Sequence, residues 1–404
     1  MNTNTRIQLS IMMFLQFFVW GSWYATTGTY LQKLGFDGAA VGNIFSTISI
    51  AAIIAPLFVG IIADRFFEAQ KVLAMSHIIG AGILYFTSTV NDADTFYWVL
   101  LLYSIFYMPT LALTNAVSFY QMTSPEKEFP SIRVLGTIGW IVAGWIISFA
   151  KFEDSNMQFV IAAAASLITG LYCFTLPSTP SKSKGEPINI GRLLGLDALK
   201  LMKSRNFAIL VISSFLVSIP LNFYFTFANA FFNETGMEYA AAKMTLGQVS
   251  EIVFMLLMPF FFARLGVKKM ILVGILAWII RYLLFAYGDN QSMVWMFYIG
   301  ILLHGICYDF FFVTGQIYVD NEAPEEIRAS AQGLITLATY GVGMYIGAIV
   351  AGQIVKQFTI LENGEIIGHL WWNIWMVPAA LAAIVLILFM ALFREKASIG
   401  QKTV

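Results

Sequence analysis

The chain has 404 residues, of which 59% are hydrophobic, 16% aromatic and only 11% charged, with a formal net charge of zero at pH 7. A soluble domain carries about 25% charged residues, so composition excludes an ordinary soluble enzyme or binding module, while the zero balance says nothing about partners. Apolar runs of about 20 residues recur from end to end, each long enough to cross a bilayer as a helix. Barrel strands would show short alternating segments instead, and these are lacking.

In chain order, the opening "MNTNTRIQLSIMMF" leads directly into a full-length apolar span with no cleavage signature, and is expected to be the first helix. Periodicity and hydropathy predict spans at 7–31, 39–63, 71–90, 96–119, 130–150 and 156–176, and again at 206–233, 243–263, 269–288, 292–318, 328–356 and 371–393. Between the sixth and seventh lies the one long polar segment, "PSTPSKSKGEPINIGRLLGLDALKLMKSRN". Its Pro/Ser/Lys start has the composition of a linker, and "LLGLDALKLMK" that of an amphipathic surface helix. The expected organisation is therefore a six-helix half at 1–177, a linker with an amphipathic helix at 178–205, and a second six-helix half at 206–404. Cys173 and Cys307 both lie in apolar runs, which argues against a disulfide framework and against a metal site.

Lysine and arginine bias orients the spans. Of 23 such residues, only Lys33, Lys151, Lys243 and Lys356 fall in the loops of one side, Arg133 and Arg281 lie within spans, and all the others fall on the side of the termini. Both termini are expected to be cytoplasmic. The 23 acids all fall in loops or at span ends except Glu251 and Asp309, which lie inside spans. The intramembrane ionisable set is thus Arg133, Glu251, Arg281 and Asp309. Such residues are costly in lipid and usually face a cavity or a partner.

The loop after the second span reads "GIIADRFFEAQKVLAM". Its Gly60, Asp64, Arg65 and Lys71 are similar to the G-x-x-x-D-R-x-x-x-x-[KR] gating-loop signature of the major facilitator superfamily. The equivalent loop of the second half, "PFFFARLGVKKMILVG", keeps Arg264, Lys268 and Lys269 but has Ala263 where Asp64 stands. A duplicated basic loop in a six-plus-six chain is the arrangement of two parallel repeats around a midplane site. Spans five and eleven, equivalent in the two halves, are both rich in glycine, which lets helix backbones approach closely.

Polar residues recur at helical spacing. Arg133, Thr137 and Trp140 share one face of span five; Gln248 and Glu251 share one of span eight. Asn222, Phe225 or Thr226, and Asn229 form a stripe in span seven. In span ten, His304 and Tyr308 lie beside a second stripe of Asp309, Phe312 and Gln316. Span one offers Gln16, Trp20, Trp23, Tyr24 and Thr27, and span eleven begins with Gln332 and Thr336. Amides, rings and few charges suit a neutral, flat, hydroxylated ligand. For every amide and hydroxyl the plain alternative is an interhelical hydrogen bond that only holds the bundle. Arg281 and Glu251 stand at similar depth in adjacent spans, so a structural pair and a ligand role are both open. The depth of Arg133 depends on where its helix starts: a start near Pro125 moves it inward.

Taken together, "FLQFFVWGSWYATTGTYL", "FPSIRVLGTIGW", "QVSEIVFMLLMPFFFARLGVKKM", "GICYDFFFVTGQIYVD" and "IRASAQG" resemble the nucleoside:proton symporter family of the major facilitator superfamily, the bacterial nucleoside and xanthosine permeases. The resemblance runs over nearly the whole chain. It implies an all-α polytopic membrane protein with twelve transmembrane helices in two pseudo-symmetric six-helix halves. It also implies proton-coupled uptake of nucleosides by alternating access across the cytoplasmic (inner) membrane. Carried over position by position, it implies substrate-binding roles for Arg133, Thr137, Gln248, Glu251 and Asp309. Trp140 stands where the family has phenylalanine, Tyr308 is the aromatic before the span-ten acid, and Asn222 and Phe225 stand where close relatives carry two amides in span seven. Proton coupling is expected at Asp309, alone or with Glu251. The expected partners are nucleosides, protons and the lipid bilayer, with no nucleic acid, no cofactor beyond the coupling proton, and a monomeric state. A sugar or drug carrier of the same superfamily is the alternative. A receptor that binds nucleoside without moving it is the alternative from another class. Enzyme signatures such as H-E-x-x-H and G-x-S-x-G are missing, so no enzymatic activity is expected.

Overall fold

The computed structural model describes residues 1–59, 62, 66–181, 191 and 195–394. Of the gating-loop signature, Gly60, Asp64 and Arg65 lie outside the described residues, as do 182–190 and 192–194 of the linker, which include the start of its amphipathic stretch at Leu193. Lys71 is described and pairs with Glu68 across 3.1 Å.

The molecule is built of helices. They are α1 (Thr3–Gly21), α2 (Thr27–Lys33), α3 (Gly38–Phe58), α4 (Ala69–Thr87), α5 (Ala93–Tyr120), α6 (Pro125–Phe149) and α7 (Met157–Cys173). After the linker come α8 (Arg205–Glu234), α9 (Ala240–Met244), α10 (Leu246–Tyr287), α11 (Val294–Leu302), α12 (His304–Tyr308), α13 (Thr314–Glu322), α14 (Arg328–Thr336), α15 (Met344–Gln357) and α16 (Trp371–Leu392). Helix starts carry readable chemistry: the side chains of Asn2, Asp37 and Asp92 accept from Thr5, Ala40 and Thr95 N–H groups, and Pro125 opens α6.

Nine helices among the described residues are long and apolar enough to cross a membrane. The twelve predicted spans differ from these in three places. The predicted span 7–31 breaks between α1 and α2, where Ser22 and Thr27 hydroxyls bond back to the Phe18 and Trp23 carbonyls. The predicted span 156–176 holds a helix of 17 residues. The predicted spans 243–263 and 269–288 run together in α10, with a break in helical geometry at Gly266, whose φ is 68°. An unpredicted antiparallel hairpin pairs β1 (Thr359–Glu362) with β2 (Glu365–His369). The polar "ENGE" turn between them has Asn363 and Gly364 at positive φ, a hairpin signal masked by its position between two spans. The linker residues Leu196–Lys203 form a 3-10 helix.

The chain separates into two compact units. The first comprises Met1–Leu194, Asn222–Thr245 and Met344–Leu370. Here α1 packs on α6, α4 on α7 and α5, and α3 on both α5 and α15. The α3–α15 contact is backbone to backbone: a Cβ on Gly42 would lie 2.3 Å from the Ala348 carbonyl oxygen. Small residues at this seam permit the approach that lipid-embedded helices need for packing attraction. A buried apolar cluster around Leu9, Met12, Leu73, Leu113 and Ile132 ties α1, α4, α5 and α6.

The second unit comprises Gly195–Leu221, Leu246–Gly343 and Trp371–Val404. In it α10 packs on α16, on α11 and on α12, with Met258, Met270 and Phe310 in a buried cluster. Its helices are not regular throughout. Residues Asp309–Val313 and Leu337–Gly343 are π-helical, a widening that frequently marks functional sites. Apolar side chains such as Leu256, Ile280 and Ile387 remain exposed on the long helices, as a surface facing hydrocarbon requires.

Candidate functional site

The sequence-predicted site residues of the first unit gather on α1, α6 and α8. Helix α6 does begin at Pro125, so Arg133 sits more than two turns inside it, the deeper of the two placements considered from sequence. Its guanidinium lies over the Phe17 ring at 4.2 Å, a cation–π contact. Thr137 and Trp140 follow on the same face of α6, both half-buried. Trp140 meets Trp20 edge-on at 5.6 Å and Tyr24 at 5.9 Å. Tyr24 in turn packs against Phe225 of α8 at 5.8 Å, and Trp20 against Tyr107 at 5.9 Å. The result is a cluster of rings with one cation beside it. Offset and edge-on rings present both faces and edges, which suits a flat heterocycle.

Two predicted polar residues turn out to be occupied by the bundle itself. Gln16 donates to Thr110 Oγ1 at 2.7 Å, and its Oε1 lies 2.8 Å from His77 Nε2. Asn222 donates to the Met344 carbonyl at 2.9 Å and accepts from Thr226 Oγ1 at 2.6 Å. For these amides the plain structural alternative describes what is seen.

The predicted residues of the second unit gather on α10, α12 and the π-helical stretch after it. Gln248 and Glu251 sit one turn apart on α10, both half-buried. Helices α10 and α12 nearly touch here. A Cβ on Gly305 would stand 2.6 Å from the Ser250 carbonyl group, and the Ser250 hydroxyl donates to the Leu302 carbonyl. This contact brings His304 beside Glu251, with Nε2 3.8 Å from Oε2. On its other side His304 Nδ1 lies 3.1 Å from Arg281 NH1. Arg281 is fully buried and stands over Trp278 and Phe285. Sequence spacing left a direct Glu251–Arg281 pair open; the structure inserts His304 between them.

Asp309 opens the π-helical stretch. It is fully buried, and neither carboxyl oxygen has a hydrogen-bond partner among the described residues. Glu251 is near enough for the two carboxylates to repel when both are charged. The hydroxyl of Thr314 bonds back to the Asp309 carbonyl at 3.3 Å, five residues on, which is the π-helical spacing. Tyr308, before Asp309, stacks on His304 at 6.1 Å and bonds through its hydroxyl to Tyr340. Sequence reasoning passed over Tyr340, although Gln332, Thr336 and Tyr340 continue one helical stripe at i, i+4 and i+8.

A buried carboxyl group without donors beside a second acid can hold and release a proton, and amides, rings and an arginine can hold a neutral heterocycle and its sugar hydroxyls. Comparison with known proteins agrees with that chemistry. The sequence model for nucleoside H+ symporters matches residues 1–398. The YegT protein of Escherichia coli K12 is 43% identical over 401 residues, covering 97% of this chain and 94% of YegT. The nucleoside permease NupG of Escherichia coli K12 is 38% identical, with 97% of each chain covered. The crystal structure of the nucleoside transporter NupG superposes with a TM-score of 0.88 at 37% identity, covering 98% of this chain and all of that one. With this fold, that of the major facilitator permeases, and with a family match over almost its full length, the chain belongs to the nucleoside H+ symporter family.

Proposed function

We propose that this protein takes up nucleosides across the cytoplasmic membrane, driven by the proton gradient, through alternating access. The observation that carries this is the family match over residues 1–398, together with a buried, donorless carboxyl group at Asp309. As a member of a symporter family it is a transporter and not an enzyme. The NupG likeness favours nucleosides over the sugar or drug alternative.

In this proposal Asp309 carries the proton. Charged, it is expensive in a dry position without donors; neutral, it is cheap. Protonation therefore lets the loaded carrier reorient, and release on the cytoplasmic side resets it. Arg133, Thr137 and Trp140, with Phe225 beside Tyr24, bind nucleoside through the guanidinium, the hydroxyl and the rings. Gln248 and Glu251 take ribose hydroxyls or base edges, and Tyr308 stacks on the base. Asn222 acts by holding α8 to the Met344 carbonyl rather than by reaching ligand. The proton is the coupling ion and no other cofactor takes part; the carrier works as a monomer with both termini in the cytoplasm.

The test is uptake of labelled uridine into proteoliposomes under an imposed inward proton gradient, with unlabelled uridine, adenosine and lactose as competitors. Uphill accumulation abolished by a protonophore, with competition by nucleosides and not by lactose, is the expected result. Proton-driven accumulation of labelled lactose and not of labelled uridine establishes the sugar carrier instead, and saturable uridine binding without flux establishes a receptor.

A further inference from the structure

His304 has no assigned part in the transport chemistry, yet it is buried between a cation and an acid. A guanidinium has only donors. The 3.1 Å contact from Arg281 NH1 therefore requires a lone pair on His304 Nδ1. A neutral imidazole with a lone pair on Nδ1 carries its proton on Nε2. That Nε2–H faces Glu251 Oε2 across 3.8 Å, a gap longer than a hydrogen bond and closed by a small approach of the acid.

Three neighbours constrain the ring. Arg281 reaches it from α10. Glu251 reaches it from the preceding part of the same helix. Tyr308 stacks on it from its own helix, and the Tyr340 hydroxyl lies beyond Tyr308. Asp309 is the remaining acid nearby. A second proton on His304 would face the Arg281 guanidinium donor to donor, so the ring is barred from carrying the coupling proton while that contact stands. Gly247 and Gly305 hold the geometry: a Cβ at Gly247 would meet the His304 side chain at 3.1 Å.

We propose that His304 is a positioning residue for Glu251: Arg281 fixes its tautomer, and the Nε2–H so presented anchors the Glu251 carboxylate for the nucleoside. The division of labour leaves the proton to Asp309. This rests on Glu251 being a substrate contact, as in the function proposed above.

The experiment has two arms on the full chain. In the first, protein labelled with ¹⁵N-histidine is studied by NMR in lipid nanodiscs, with His304→Gln assigning its signal among the three histidines. The neutral Nε2–H tautomer should persist from about pH 5.5 to about pH 8, across the range in which an ordinary imidazole titrates. In the second, uridine uptake is measured. His304→Leu should raise KM about tenfold while leaving the maximal rate within about twofold. His304→Gln, whose amide can accept from Arg281 and donate to Glu251, should recover most of that loss. Added to Glu251→Gln, His304→Leu should cost nothing further. An imidazolium or an Nδ1–H tautomer at neutral pH overturns the proposal, as does an unchanged KM in His304→Leu or a loss that multiplies with Glu251→Gln. If His304→Leu does not fold, the tautomer and the His304→Gln kinetics still decide. Failure of the wild-type protein to accumulate uridine counts against the nucleoside function, not against the tautomer.

Discussion

The hydroxyls of Tyr308 and Tyr340 bond to each other, and each residue marks a π-helical stretch: Tyr308 directly precedes Asp309–Val313, and Tyr340 lies within Leu337–Gly343. Two widened helix segments are thereby tied side by side next to the acid proposed to carry the proton. Removing either hydroxyl strips the other of this partner, at a cost of about 1 kcal/mol. Tyr340→Phe and Tyr308→Phe are each expected to slow uridine uptake about fivefold, and the double variant no more than the worse single. Initial rates in proteoliposomes read this directly; fully additive losses would show that the tie has no role.

How much of this site is legible in sequence depends on what sets each part. Asp309 stands out because an acid inside an apolar run has no local reason to be there. Helix α6 is also legible, since Pro125 is a helix-start signal, and its acceptance moves Arg133 inward. Partner choice is a tertiary property and is not legible: Gln16 and Asn222 have the composition of ligand-binding amides, yet both hydrogen-bond within the bundle. His304 between Glu251 and Arg281 depends on the closeness of α10 and α12 at Gly305, which no spacing along one helix reveals. The π-helical insertions have no composition signature, so the stripe through Gln332, Thr336 and Tyr340 passed without its end being seen.

A loop acid proved to be a structural hub. Glu153 is 6% exposed and its carboxylate accepts from Ser148 Oγ, Ala241 N, Asn229 Nδ2 and Asn233 Nδ2. Asn229 accepts in turn from Thr29. Glu153→Ala would strand these buried donors, and a stranded donor costs about 1–3 kcal/mol. The expected result is a loss of about 3 kcal/mol in stability for Glu153→Ala, with a smaller loss for Glu153→Gln, which keeps one acceptor oxygen. Thermal unfolding followed by native tryptophan fluorescence checks it; equal midpoints for wild type and Glu153→Ala would contradict the hub.

Asp37 gives a pH dependence with a definite sign. Burial pushes its carboxyl up, but Lys356, 2.8 Å away, and the Ala40 and Ala39 N–H groups outweigh that and hold it below the ordinary value. A lowered folded value means stabilisation that is fully present above the ordinary carboxylate range and lost as pH falls through the folded value. The pair is substantially exposed, so screening limits the effect to about 0.5 kcal/mol. Asp37→Asn should thus unfold slightly earlier than wild type at pH 7, and the gap between the two midpoints should begin to shrink as pH falls below about 4. A gap that widened on acidification would reverse the assignment.

Asp309→Asn separates coupling from binding. The amide keeps the size of the acid but cannot release a proton. Because neither Asp309 oxygen has a hydrogen-bond partner among the described residues, the substitution breaks no bond that holds the helix, and the Thr314 bond to the Asp309 main-chain carbonyl survives. The variant should therefore fold, exchange labelled for unlabelled uridine in counterflow, and fail to concentrate uridine under a proton gradient. Its counterflow should also lose the pH dependence of the wild type, since the group that titrates with transport is gone. Glu251→Gln should behave differently, weakening counterflow itself about tenfold, as expected for loss of a substrate contact. Undiminished uphill uptake by Asp309→Asn, with gradient coupling lost in Glu251→Gln instead, would move the proton to Glu251.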